Sequence, residues 1–361
     1  MTKKTSENWK DHGQTEFESP WGPEIKLLRL SGFGGQLKLP GELKGVSFEL
    51  WKNDSDIIVF SDKKGGGEAF KAWWINVLKQ AQVCVFLMNF KDVISYNIEN
   101  DTCFNEICEI LNKFHKFISP SEYYEGFQKI KNIERLKNRE INLVFYNPSA
   151  FSNSSEHLFQ ALRSIRDRYT FQEFPLRVVI INSSAGPFLS KLENSSYLEI
   201  ASCYRIAFLD KEEISSLGKK CFRSKDFDES IIPYILKRTG GHPFLVQLFL
   251  QMIKSSGEKL TRSSQIDHVF RTLKKSPPDV TRLWMAELRQ TLEERKELVP
   301  NLMAYLNGQT LGRSRFPPPA IERPLFFGGW LRENQESRWG ISSDFHAHFA
   351  RQVLLEMGVK L

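Results

Sequence analysis

Short apolar runs alternate with amphipathic stretches through the middle of this chain, and that alternation restricts it to a parallel sheet covered by helices. Asp56-Ile57-Ile58-Val59-Phe60 reads as a strand entering a glycine loop, Lys63-Lys64-Gly65-Gly66-Gly67, with a helix over about 68–80. Residues 82–88 form a second apolar run. A helix then carries Ile107, Ile110, Leu111, Phe114 and Phe117 at three- and four-residue spacing. Residues 141–146 and 176–181 are the third and fourth strands, separated by a helix bearing Leu158, Phe159, Leu162 and Ile165. A fifth strand over 204–209 precedes Asp210, which can cap a helix with Glu213 three residues on. The predicted core is a five-strand doubly wound α/β sheet.

Downstream lies the most specific local signal, Lys237-Arg238-Thr239-Gly240-Gly241-His242-Pro243-Phe244. A glycine can take positive φ at a helix C-terminus, and proline fits the first turn of the next helix, where no backbone donor is needed. The segment therefore predicts a joint between two helices. The second of these carries Phe244, Leu245, Leu248, Phe249 and Met252 and stops near Gly257. Further helices are expected over 264–275, 279–292 and 298–306, the last ended by Asn307-Gly308. A hairpin over 329–341 follows, turning at 334–337, and Ser343 caps a final helix to about Met357.

The Gly-Gly-His-Pro joint placed after such a core resembles the AAA-like STAND ATPases. The order of elements supports the resemblance from about residue 50 to 357, and only the joint is motif-specific. The resemblance implies a P-loop-NTPase-like core over 51–210, a helical lid over 211–275 with the joint, and a winged-helix-like domain over 276–361. Residues 1–50 form a polar tail and a strand-like preface. His242, at the start of a helix, can contact the base or ribose of a nucleotide in such a fold, or it can cap and pack the joint.

Against G-x-x-x-x-G-K-[ST] the front loop departs at three of four positions. Aligned on Gly66, the first glycine is Ser61, the phosphate-binding lysine is Gly67 and the magnesium-binding hydroxyl is Glu68. Glu68 also brings a carboxylate to the helix N-terminus where a phosphate would otherwise sit. Lys63, Lys64 or Lys71 could substitute only in an unusual geometry. After the third strand, Asn147-Pro148 stands where an ATPase of this class has an acidic pair. Asn182, closing the fourth strand, is placed as a polar sensor or as a turn former. The expectation is an inactive relative with no catalytic residues, no metal and no cofactor, ATP or ADP binding weakly at most.

Composition sets the remaining bounds. The chain has 361 residues, 41% hydrophobic and 26% charged, and no apolar run approaches membrane-spanning length. Its start lacks the apolar core of a secretory signal, so a cytoplasmic protein is expected. Five scattered cysteines without C-x-x-C spacing read as reduced core residues. The net charge of +7 is spread thinly, with fourteen Lys or Arg against ten Asp or Glu over 271–361, so no dense basic stripe marks a nucleic-acid surface. His346 and His348, two apart on a helix, point to different faces and do not form a chelating pair.

The functional expectation is a non-enzymatic STAND-like scaffold or sensor that binds a protein partner, of the kind found in bacterial defence or signalling systems. One alternative is a switch that binds a nucleotide without hydrolysing it, and another is a winged-helix DNA-binding protein. Phe316-Pro317-Pro318-Pro319 and Pro324-Leu325-Phe326-Phe327-Gly328-Gly329-Trp330 put large apolar groups in a segment expected to be irregular. Phe326, Phe327 and Trp330 are therefore candidate partner contacts. The partner and the oligomeric state are not written in the sequence.

Overall fold

The computed structural model describes residues 27–29, 56–60, 71, 74–75, 84–88, 93–95, 102–133, 140–147, 154–182, 188–189, 192, 195–206, 208–222, 226–257, 259–309, 322–333 and 338–360. Strands β1 (Leu27–Arg29), β2 (Asp56–Phe60), β3 (Cys84–Met88), β4 (Val93–Ser95), β5 (Ile141–Tyr146), β6 (Leu176–Asn182) and β7 (Ser202–Ile206) form one sheet in the order β1-β7-β2-β6-β5-β3-β4. The inner strands β7, β2, β6, β5 and β3 pair in parallel. The front strand β2 thus lies between the fourth and fifth strands of the core, a P-loop-NTPase-like α/β arrangement.

Every side chain of β2, β5 and β6 is buried, as befits parallel strands covered on both faces. One face packs on helices α1 (Thr102–Leu111), α2 (Pro120–Lys131) and α3 (Ser154–Arg168), and Phe86, Leu143, Val178, Ile107, Phe127 and Leu162 share one core there. Across the base of the sheet, Arg166 on α3 forms an ion pair of 2.5 Å with Asp56 at the start of β2 and also donates to the Leu176 carbonyl.

The structure revises several expectations. The edge strands β1 and β4 pair antiparallel with β7 and β3, so part of the N-terminal preface belongs to the sheet. The helix expected to run through Phe117 ends at Leu111 and yields to a 3-10 turn, Phe114–Lys116. Helix α2 then starts afresh because Ser119, Pro120 and Glu122 supply a capping box and a proline in the first turn. The fifth strand sits nearer the N-terminus than 204–209, because the Leu209 amide donates at 2.8 Å to the Gly241 carbonyl rather than to a neighbouring strand.

Helices α4 (Lys211–Cys221), α5 (Ile232–Thr239), α6 (Pro243–Ser255) and α7 (Ser263–Lys275) follow the sheet. Asp210 caps α4 in the expected box with Glu213. The C-terminal part comprises α8 (Asp279–Glu294), α9 (Leu298–Leu306), α10 (Arg323–Phe327), the antiparallel pair β8 (Leu331–Glu333) and β9 (Trp339–Ile341), and α11 (Asp344–Glu356), capped by Ser343. The segment around Pro324 is not irregular throughout. Proline in the first turn is compatible with the short helix α10, and Leu325, Phe326 and Phe327 are buried on it. No helix among the described residues is long and apolar enough to cross a membrane.

Candidate functional site

The C-terminal edge of the sheet is where a nucleotide fold of this topology places its ligand. Three of the sequence candidates or their neighbours meet there. Phe60 ends β2, Asn182 ends β6 opposite it in register, and Asn147 follows β5 with its amide donating at 2.7 Å to the Ile181 carbonyl. Asn147 has φ 51°, the left-handed region that Asn tolerates better than most residues. Asn182 is fully buried. Ser61, Gly66, Gly67, Glu68 and Pro148 lie outside the described residues.

Aromatic packing from the C-terminal part reaches the end of β2. The Phe327 ring of α10 is centred 4.1 Å from that of Phe60, and Phe188 meets Phe60 edge-on at 6.2 Å. Lys71 is 8% exposed and its Nζ lies 4.0 Å from the centre of the Tyr146 ring at the end of β5, a cation-π contact. The polar groups named at this edge are thus the Asn147 and Asn182 amides, the Tyr146 phenol and the Lys71 ammonium. Such a set can orient a ligand by hydrogen bonds.

The second assembly is the joint. Gly240 ends α5 with φ 67° and its amide donates at 2.7 Å to Leu236, while Gly241 follows with φ 80°. A Cβ on Gly240 would lie 2.4 Å from the Ser342 carbonyl oxygen, and one on Gly241 would lie 2.1 Å from that of Leu209. Both glycines are thus required by conformation and by close backbone approach. The Gly240 carbonyl accepts from Arg332 Nη1 at 3.1 Å, and Arg238 in the last turn of α5 pairs with both Asp267 and Asp344. Burial pulls the Arg238 pKa down, but the bond to Asp267 and the charge of Asp344 outweigh it and the pKa is raised.

His242 is fully buried, and its ring meets Trp284 at 4.8 Å, Phe208 at 5.2 Å and His346 at 6.0 Å. These contacts belong to packing at the joint. Pro243 occupies the first turn of α6, as read from sequence. His346 is buried and pairs through Nδ1 with Ser343 Oγ at 2.7 Å, whereas His348, lower in pKa through burial, meets Phe349. No group of His, Cys, Asp and Glu suited to a metal ion occurs among the described residues.

The candidate partner contacts are corrected by burial. Phe326, Phe327 and Trp330 are 2%, 2% and 5% exposed. Phe326 packs on Trp339, Phe327 on Phe60, and Trp330 on His346. They hold the C-terminal part together and against the sheet, because α10 turns its apolar face inward, and they present no exposed anchor. The sequence reading missed Phe188, Lys71 as a partner of Tyr146, Trp284, and Arg332 as a partner of the Gly240 carbonyl. None lies in a motif, and each becomes legible only once distant segments meet.

No family model and no curated protein matches the sequence. Among solved structures the chain is similar to the Walker-type ATPase PABY2304 of Pyrococcus abyssi, at 14% identity and a TM-score of 0.46 over 86% of this chain and 95% of that one. It is also similar to the ORC2 protein of Aeropyrum pernix, at 10% identity and TM-score 0.40 over 90% and 98% of the two chains. A third is the RuvB Holliday junction branch migration motor of Thermotoga maritima, at 12% and 0.37 over 88% and 92%. The strand order and pairings described above, rather than these distant likenesses, define the fold as P-loop-NTPase-like.

Proposed function

We propose that this chain is a degenerate STAND-like protein, a non-catalytic scaffold or sensor that acts by binding a protein partner, in the manner expected of a bacterial defence or signalling component. The observation that supports it best is the Phe60–Phe327 contact, 4.1 Å between ring centres, which sets aromatic carbon at the end of the strand that would present a phosphate loop. Gly67 and Glu68 in place of a lysine and a hydroxyl, and Asn147-Pro148 in place of carboxylates, point the same way. A charged hydrogen bond is worth roughly 1.5–3 kcal/mol. Loss of the lysine and metal contacts together weakens nucleotide binding by about a hundredfold or more.

The test has two parts. Under saturating Mg-ATP the protein releases no phosphate above background, and turnover of about 1 per second or faster would refute the reading. Affinity recovery from the native host, identified by mass spectrometry, yields a stoichiometric protein partner. Recovery of DNA instead, displaced by salt, would favour the C-terminal part as a winged-helix DNA reader.

One observation favours a second reading, a switch that binds an adenine nucleotide without hydrolysing it. Lys71 places a cation beside Tyr146 at the edge where phosphates would lie. Calorimetry with ADP separates the two: a dissociation constant near micromolar, raised by Lys71→Met, supports the switch, and no measurable binding supports the scaffold.

A further inference from the structure

A cleft of about 390 Å³ opens between the lid and the C-terminal hairpin, away from the Phe60 edge, and its charge is unbalanced. Lys211 begins α4, Lys237 lies in the last turn of α5, and Arg332 projects from β8, so three separate elements bring cations to one concavity. Leu236 and Ile341 give it an apolar side, and Ser343 adds a hydroxyl.

Two nearby carboxylates are committed elsewhere. Asp344, the acidic residue of the lining, pairs with Arg238. Asp210 beside Lys211 accepts from the Glu213 amide at 2.9 Å within the capping box of α4. Among the described residues no ion pair joins an acid to Lys211, Lys237 or Arg332. The adjoining groove shows the contrast: it shares Lys211 and Pro233, but its Lys219 is answered by Glu229 at 2.5 Å.

We infer that this cleft binds a small phosphorylated anion, of the charge of a diphosphate, between lid and hairpin. Three cations exceed what a single carboxylate neutralises, and a guanidinium fork beside two ammonium groups suits oxygens spread over a tetrahedral centre. Arg332 is itself partly desolvated, and burial lowers its pKa, so an arriving anion restores charge balance where water is scarce. With Nη1 on the Gly240 carbonyl, the same guanidinium ties the ligand to the joint. Occupancy therefore reinforces the contact between the joint and the C-terminal hairpin.

Titration of the full chain with inorganic pyrophosphate, without magnesium, tests the site by calorimetry and by the shift in melting temperature. Binding is expected to weaken as salt rises and by about tenfold or more in Arg332→Gln. Because Arg332→Gln also removes the bond to Gly240, Lys211→Gln/Lys237→Gln, at two exposed side chains, is the second variant. It is expected to lose affinity while melting like the parent without ligand. The proposal is overturned if pyrophosphate does not bind at millimolar concentration or if the double variant binds it unchanged. Citrate binding as tightly as pyrophosphate would overturn the assignment to phosphate.

Discussion

The Gly-Gly-His-Pro joint and the C-terminal edge of the sheet both lie at the ends of regular elements, yet they are constrained in opposite ways. At the joint the backbone itself is the contact surface. Gly240 and Gly241 lie against the carbonyls of Ser342 and Leu209, so three chain segments meet with no room for a methyl group. At the edge the contact is made by side chains, Phe327 on Phe60 and Lys71 on Tyr146, and the backbone at Asn147 takes the left-handed conformation open mainly to Gly, Asn and Asp. A surface of side chains can be rebuilt by substitution, whereas a surface of backbone cannot. On the proposed reading, this is why the joint keeps its Gly-Gly-His-Pro sequence while Ser61, Gly67 and Glu68 depart from the phosphate-loop pattern.

The largest effect is expected at the joint. Gly241→Ala combines a positive φ with a Cβ 2.1 Å from a carbonyl oxygen, so the helices must separate. Gly257 also has positive φ, 72°, but open space around it. Gly257→Ala should cost about 1 kcal/mol and Gly241→Ala about 4 kcal/mol or more, measured by urea unfolding. Equal costs would show that only φ matters and that the close approach is relieved by a small shift.

Phe327→Ala comes next. Removing a buried ring of this kind costs about 3–5 kcal/mol. Its effect distinguishes the two regions further. On the proposed reading that the chain binds no nucleotide, an aromatic block at the edge predicts that the variant gains measurable ADP binding while Gly241→Ala does not. A destabilised variant that still binds no ADP would place the block in the loop chemistry of Gly67 and Glu68 alone.

What the sequence disclosed follows the same division. Buried parallel strands need uninterrupted apolar runs, so β2 and β5 were read at their observed bounds, and the caps at Asp210, Ser343 and Gly240 are local chemistry visible in a few residues. Helix α2 was missed although Ser119-Pro120-Ser121-Glu122 is a complete start signal, because the apolar spacing from Ile107 to Phe117 suggested a single longer helix. Burial of Phe326, Phe327 and Trp330 was not legible: proline spacing says where a chain bends and nothing about which surface lies opposite. The Arg332 cleft depends on β8, α4 and α5 meeting across more than a hundred residues of sequence, which no local pattern encodes.

A smaller effect is expected at Asn147. With φ 51°, Asn147→Ala should cost about 1 kcal/mol and Asn147→Gly should be neutral or slightly stabilising. Chemical unfolding of the pair separates conformation from side-chain contact. Glycine as damaging as alanine would mean that the amide side chain itself is needed at this edge, which would favour a ligand-orienting role there.

The smallest effect concerns acid, and it asks whether the joint makes lid and sheet unfold together. The Glu122 carboxylate accepts from the Ile118 amide at 2.8 Å at the start of α2, and that bond, with help from Ser119, holds its pKa below 4.5. Asp228, before α5, accepts from the Ser230 amide at 2.9 Å and is likewise lowered, from 3.8. For groups lowered in the folded state, stability is present above the unfolded pKa and is lost as pH falls through the folded one. Both carboxylates therefore contribute at neutral pH, and the contribution is lost as pH falls from the ordinary carboxylate range, about 3.9 to 4.3, through the lowered folded values. Glu122→Gln and Asp228→Asn should each flatten the acid limb of the melting temperature, one through the sheet unit and the other through the lid. If the joint couples the two units, both substitutions move one common calorimetric transition. Two transitions, each answering to only one of the substitutions, would show that the backbone contacts at Gly240 and Gly241 position the lid without making its unfolding cooperative with that of the sheet.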